Sequence, residues 1–208
     1  MRPLAVLTLV LVPALGSAQD FVPLFNGKDL DGWEVREARV GDKDKWAVQN
    51  GVLVGKAGSG WIGTKKMYGD YVLRLDWKIF DGGNSGVFIR VPDGKLTQSP
   101  SYHGFEIQIL DDNSSKYKDK LKPYQYCGGL YHFIGPSKKV FKGAGEWNSY
   151  EITCKRDAIT LIFNGEKVID ADTSKDPGMA KRPKRGFLGL QNHGSGVEFK
   201  NVMIKSLN

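Results

Sequence analysis

The chain has no apolar run long enough to cross a bilayer, which takes roughly 20 helical residues; its longest run, residues 4–15, stops well short of that. Cysteine and histidine are scarce, at two and three residues, and the two cysteines have no close histidine pair. A structural zinc site is thereby disfavoured. No Walker-type or dinucleotide-binding glycine pattern occurs, which argues against a nucleotide cofactor. No long segment carries the 3.6-residue period of an amphipathic helix, so a helical bundle is excluded as well. Acidic and basic residues alternate along most of the chain, and only Lys181-Arg182-Pro183-Lys184-Arg185 is densely basic. The net charge of +7 therefore speaks to solubility and unspecific attraction, or to an anionic saccharide, before it speaks to nucleic acid.

The N-terminus does carry a recognisable signal. Met1-Arg2-Pro3 precedes the apolar run, and Gly16-Ser17-Ala18 follows it. This is the pattern of a secretory signal peptide over residues 1–18, cleaved after Ala18. Residues 19–208 then form one domain, exported to the periplasm or the extracellular space and large enough for a substantial core. In that compartment Cys127 and Cys154 are permitted to form a disulfide, although Cys154 reads equally well as a small buried strand residue.

What the chain has in quantity is glycine, at 26 residues, and short segments with a period of two. Tyr71, Leu73, Leu75, Trp77 and Ile79 alternate with Val72, Arg74, Asp76 and Lys78, which predicts a strand with one buried face. Asn50-Gly51 and Asn164-Gly165 each join two strand-like runs and predict hairpins, because both residue types tolerate positive φ. Asn26-Gly27 marks a further turn. Other predicted strands are 86–91, 104–110, 130–132, 149–154, 186–191 and 197–206. About ten short strands with polar turns predict an all-β sandwich or jelly roll. The longest irregular stretch, 112–129, is the kind of loop that lines or covers a site.

Polar residues on otherwise apolar strands are the candidates for function. Alternation sends Phe105, Ile107 and Ile109 to the core and leaves Glu106 and Gln108 side by side on the other face. The same logic exposes Phe88 and Arg90 from one strand and Gly189 and Gln191 from another. If these strands are neighbours, Arg90, Glu106, Gln108 and Gln191 share a concave surface with Phe88 and Tyr131, a mixture of planar hydrogen-bonding groups and rings suited to a sugar. A solvated sheet face with an Arg90–Glu106 surface pair is the plainer alternative. His193 is available in a turn, and His103 and His132 are secondary candidates. Asp111-Asp112-Asn113 reads first as a strand-end turn and second as a site for a hard cation such as calcium.

Several of these segments resemble one family. Phe25-Asn26-Gly27-Lys28-Asp29-Leu30-Asp31-Gly32-Trp33, Gly83-Asn84-Ser85-Gly86-Val87-Phe88-Ile89-Arg90 and Phe105-Glu106-Ile107-Gln108-Ile109-Leu110-Asp111 are similar, in order and spacing, to the 3-keto-disaccharide hydrolases. Gly129-Leu130-Tyr131, Glu146-Trp147-Asn148, Gly189-Leu190-Gln191-Asn192-His193-Gly194 and Val197-Glu198-Phe199-Lys200-Asn201-Val202 extend the likeness across the predicted domain. The resemblance implies a concanavalin-like jelly roll of two curved antiparallel sheets with a saccharide cleft on the concave side. It also implies cleavage of glycosides oxidised to a ketone at C3. Asn84, Arg90, Glu106, Gln108, Gln191 and His193 fall in the family's motifs. We take Glu106, His193 and Arg90 as catalytic candidates, and Asn84, Phe88, Gln108, Tyr131 and Gln191 as substrate-binding candidates. No metal ligand is assigned, although a divalent cation is left open. Lys200 replaces a frequent arginine of the family, keeping the charge but losing its bidentate fork. A non-catalytic carbohydrate-binding module is the competing reading, since one fold serves both uses; an envelope interaction domain is a third.

Overall fold

The computed structural model describes residues 20–36, 45–56 and 58–207. The predicted signal peptide at 1–18 lies outside the described residues. Strands run in chain order as β1 (Val22–Pro23), β2 (Trp33–Arg36), β3 (Trp46–Gln49), β4 (Val52–Gly55), β5 (Ser59–Tyr68), β6 (Tyr71–Ile79) and β7 (Asn84–Val91). A one-turn helix α1 (Pro100–His103) precedes β8 (Phe105–Leu110). Then come β9 (Asn148–Lys155), β10 (Ala158–Phe163), β11 (Glu166–Asp172), a second short helix α2 (Pro177–Ala180), β12 (Gly186–His193) and β13 (Val197–Ser206). All pairings among these strands are antiparallel.

They form two sheets. One has the order β11-β10-β9-β6-β13-β4-β3, with β1 also on β13; the other has the order β2-β5-β12-β7-β8. The expected all-β sandwich is therefore present. Hairpins form where Asn-Gly was read as one: Asn50 and Gly51 have φ of 51° and 78°, and Asn164 and Gly165 have 49° and 87°. Such angles are open to Asn and Gly but costly for most residues. Asn26-Gly27 belongs to a loop instead, in which Asn26 Oδ1 accepts from the amides of Lys28 and Asp29 at 2.8 and 3.0 Å.

The core lies between the sheets. In β6 the five predicted inward residues are all buried, and Trp77 is its centre. Its ring meets Tyr150, Phe163 and Phe141 at centroid distances of 5.2, 5.8 and 5.8 Å. Cys127 and Cys154 are buried free thiols, so the structural use of Cys154 holds and the disulfide does not form. Burial pushes the Cys127 thiol up to about 12, which keeps it protonated and inert.

Two strands break their own alternation, and both breaks matter. In β13 Asn201 takes φ of 52° where the register with β6 shifts between Lys200 and Met203. The extra residue resets the parity, so Val197, Phe199, Val202 and Ile204 are all buried. Lys200 stays on the outer surface, its Nζ 4.0 Å from the Trp147 ring centroid. In β7 the residue with positive φ is Arg90, at 56°. The same device turns Arg90 inward beside Ile89 and leaves Val91 on the opposite face.

Strand β5, with two internal glycines and Lys65-Lys66, was not anticipated, because neither face alternates cleanly. The predicted strand 130–132 is also absent: Leu130 makes isolated bridges to Ile107 and Ile134, and the chain then turns at His132, whose φ is 72°. No helix among the described residues is long and apolar enough to cross a membrane. Because Trp77 supports three other rings, Trp77→Ala is expected to lower unfolding stability by about 3–5 kcal/mol, read by urea denaturation; a loss below about 1 kcal/mol would show that the two sheets do not depend on this cluster.

Candidate active site

The site is built across the outer face of the five-stranded sheet, in rows set by strand register. One row runs Gln108, Gly86, Gln191, Trp61; the next runs Glu106, Phe88, Gly189, Gly63. Side chains in a row share a face, so Glu106, Gln108 and Gln191 come together as the alternation predicted. The two glycine positions between them are functional in shape. A Cβ on Gly86 would lie 2.2 Å from Glu106 Oε1, and one on Gly189 would lie 2.5 Å from the Trp61 ring. The Glu106 carboxyl and the Trp61 indole therefore rest directly on backbone.

Together these groups line a polar cavity of about 190 Å³. Its floor is Glu106, Gln108 and Gln191, and Asn84 and His193 stand at one end. Ser99, Ser101 and Tyr102, from α1 and the residue before it, close the other side together with Tyr131. Tyr131 reaches this position because residues 128–131 run alongside β8: Gln108 N donates to Gly129 O and Tyr131 N to Glu106 O, both at 2.9 Å. The irregular stretch 112–129 leads the chain back to the edge of the site, but none of its own residues is among those lining the cavity, so the expectation that this loop lines the site is met only by Tyr131 just beyond it. From the opposite sheet, Tyr150 Oη crosses the core and donates to Gln108 O at 2.7 Å. Burial raises the Tyr150 phenol well above its usual range, so it remains a donor.

Three features mark the cavity as chemically poised. Glu106 is 4% exposed, and burial pushes its carboxyl up to about 8, against the opposing pull of a hydrogen bond from Ser101. Gln108 Oε1 and Gln191 Oε1 are buried acceptors with no partner among the described residues. Such orphaned groups cost stability unless a ligand satisfies them. A buried carboxyl with a strongly shifted pKa in a polar cleft is a typical place for proton transfer.

Other sequence candidates fall elsewhere. Arg90 is fully buried and lies on the core side of the sheet, where its Nη2 donates to Arg156 O at 2.8 Å. It does not line the cavity; the positive-φ bulge described above is the reason. Phe88 is on the correct face but sealed beneath Trp61 in an edge-to-face contact at 5.6 Å, so it supports the floor without lining the cavity. His193 is the last residue of β12 rather than part of a turn. His103 faces away, its Nε2 3.4 Å from Thr97 Oγ1. Asp111 and Asp112 accept from the amides of Gly82 and Cys127 at 2.9 and 3.1 Å, the structural use favoured for them. Among the described residues no group of three or more His, Cys, Asp or Glu side chains converges on one point. Two of the basic residues at 181–185 are engaged within the fold: Arg182 donates to Ser101 O and Gly104 O, and Lys184 pairs with Asp157 at 2.5 Å. Ser99, Ser101, Tyr102 and Trp61 were not anticipated. The polar run Ser99–His103 was the one available sign of the first three.

The shifted carboxyl makes stability depend on pH. Between the ordinary value of 4.5 and about 8, folded Glu106 keeps a proton that the unfolded chain has released. Its contribution is thus complete below pH 4.5 and is lost as pH rises to about 8. Glu106→Gln removes that slope. Thermal melts should show the variant gaining on the wild type by several degrees from pH 5 to pH 8.5; parallel curves would mean that Glu106 ionises normally.

Comparison with known proteins agrees with this architecture. The profile of the 3-keto-alpha-glucoside-1,2-lyase-like domain matches residues 20–205. A 3-keto-disaccharide hydrolase of Bacteroides thetaiotaomicron is 25% identical over 91% of this chain and 79% of its own length. Among solved structures, a candidate glycosyl hydrolase from Parabacteroides distasonis superposes with a TM-score of 0.80 at 33% identity, covering 96% of this chain and 99% of that one. The β-glucanase of Bacillus licheniformis shares the jelly-roll fold alone, with a TM-score of 0.58 at 14% identity over 93% of this chain and 100% of its own. With the profile spanning the domain and the sandwich matching throughout, the chain belongs to the family of 3-keto-alpha-glucoside-1,2-lyase-like domains.

Proposed function

We propose that this protein is an exported enzyme that cleaves 3-keto-glycosides by abstraction of the C2 proton and elimination at C1. The observation that carries the proposal is a buried carboxyl lying over Gly86 and flanked by two unpartnered amides, Gln108 and Gln191, in a polar cavity. Family membership adds the substrate class, and the residue pattern at 1–18 supports export.

The chemistry follows from the ketone. A C3 carbonyl acidifies the proton on C2, because the electron pair left behind delocalises onto the C3 oxygen. Glu106 as a carboxylate takes that proton, and burial makes it a stronger base than an exposed glutamate. The enolate then re-forms the ketone as the C1–O bond breaks, leaving a C1–C2 double bond and an alkoxide that takes up a proton. Water adding across the double bond returns a proton to C2 and a hydroxyl to C1, so the sum is hydrolysis. If the product leaves before water adds, the outcome is a lyase reaction.

The amide N–H groups of Gln108 and Gln191 are the donors available to the enolate oxygen, the type of electrostatic contribution that is often largest. Their carbonyl oxygens can accept from sugar hydroxyls. Arg90, buried on the core side and bonded to Arg156 O, is given no role in this scheme. His193 lines the exposed end of the cavity beside Asn84, on the side away from Tyr102 and Tyr131. This scheme does not require the opposed carboxylate pair of ordinary glycosidases.

Incubation with a 3-keto-glucoside and its unoxidised parent should release the leaving group from the keto compound alone, with solvent deuterium appearing at C2 of the product. Glu106→Gln should lower kcat by at least about 10³-fold while ligand binding changes little. For the wild type, kcat/KM should rise with pH and level off above about 8. Binding without release would identify a carbohydrate-binding module instead, and full activity in the Gln variant would remove Glu106 from the mechanism.

A further inference from the structure

The cavity is small for the substrate just proposed. At about 190 Å³ it falls below the roughly 300–1,000 Å³ of sites that enclose a whole small ligand. Its lining is also divided. Carboxyl and amide groups lie deep, and aromatic rings gather at one side of the mouth.

That aromatic side is continuous. Tyr102 stands 4.3 Å from His132 between ring centroids, and His132 stands 4.4 Å from Tyr131. Tyr124 backs both, at 5.6 Å from Tyr131 and 5.9 Å from His132. Two of these rings are held in ways that packing alone does not demand. Tyr102 is 51% exposed, a large ring left at the surface. His132 adopts φ of 72°, a left-handed conformation costly for a residue other than glycine, and such strain concentrates at ligand sites. His132 Nε2 is buried and has no partner among the described residues.

The wall is also braced. Arg182 donates to the carbonyls of Ser101 and Gly104, on either side of Tyr102 and His103, and its guanidinium stacks on Phe133 at 4.6 Å and Phe105 at 5.3 Å. One cation thus ties α1, which carries Tyr102, to the turn that carries His132. Burial, and secondarily the charge of Arg182, hold the His132 imidazole below its ordinary pKa, so the ring is neutral near pH 7 and presents an uncharged face.

We infer that Tyr102, His132 and Tyr131 form a second subsite, which takes the leaving group through the apolar face of a ring while the polar cavity holds the keto-sugar. This rests on the cleavage reading above. The chemistry recognised is a six-membered ring with an apolar face, supplied by either a pyranose or an aryl group. Stacking on an aromatic platform favours both.

The test uses 3-keto derivatives of phenyl, glucosyl and methyl glucosides, each compared between wild type and variant so that leaving-group reactivity cancels. In Tyr102→Ala the loss of kcat/KM on the two ring-bearing substrates should exceed the loss on the methyl glycoside by about tenfold, the equivalent of about 1.4 kcal/mol. Tyr102→Phe should restore most of it. A differential confined to the phenyl compound assigns the subsite to aryl leaving groups, and one confined to the disaccharide assigns it to sugars. Equal losses on all three substrates would overturn the subsite. Should the wild type cleave none of them, calorimetric titration with unoxidised phenyl, glucosyl and methyl glucosides still decides. A preference for ring-bearing ligands that disappears in Tyr102→Ala upholds the subsite although the cleavage reading fails, and no preference overturns it. Unchanged melting temperatures of the variants exclude a folding defect.

Discussion

Packing of two apolar sheet faces against each other is the interaction on which the rest of this molecule depends. It demands that every strand present its large residues to one side, and Trp77, ringed by Phe141, Tyr150 and Phe163, occupies the centre of the result. Once that face is committed, the other face of the five-stranded sheet is free to hold groups that a core would reject. Glu106 and Gln108 are on the site side because Phe105, Ile107 and Ile109 are on the core side. Tyr150 couples the two directly, being packed in the core while its hydroxyl holds the carbonyl of Gln108.

Burial does opposite things on the two sides of that sheet. In the core it protects thiols and phenols from ionising, and Cys127 and Tyr150 stay neutral. On the site side it holds a carboxyl near the point of half-ionisation at neutral to mildly basic pH. The cost is borne by backbone that gives up side chains. Gly86 and Gly189 have none, and the space released is filled by the Glu106 carboxyl and the Trp61 ring. A methyl group at Gly86 would meet the carboxyl oxygen at less than van der Waals distance, so the identity of this glycine and the position of the acid are one requirement. The loops then supply what strands cannot: serines and tyrosines whose placement does not follow a period of two.

Family membership and site geometry inform different parts of the reading. The profile match and the superposition establish the fold and kinship. The division of the cleft into a polar pocket and an aromatic wall comes from the arrangement of this chain's own residues. Glycosidases that rely on two opposed carboxylates need both to ionise differently across the bond they cut. Here one buried acid, Glu106, stands among the amides of Gln108 and Gln191, with no second carboxylate among the described residues that line the cavity.

The sequence by itself determined β6 to its ends by alternation and the bounds of β13 in spite of its bulge at Asn201, located the two Asn-Gly hairpins, and placed Glu106, Gln108 and Gln191 on one face. These follow from local rules, since a strand has only two faces and Asn-Gly tolerates positive φ. The same rule failed at Arg90, because a single residue with φ of 56° inserts itself into the count, and nothing local to Ile89-Arg90-Val91 announces a bulge. It also passed over β5, whose Gly63 makes room for the Arg36 side chain of the neighbouring β2 and for the Trp61 ring, a need visible only when strands from different parts of the chain lie side by side. Tertiary structure alone decided that Ser101, Tyr102, Tyr131 and His132 meet beside Glu106. Their contacts join α1 to a turn some 30 positions later, through an arginine later still, and no spacing in the chain encodes that meeting, because it depends on which edge of the sheet each loop returns to.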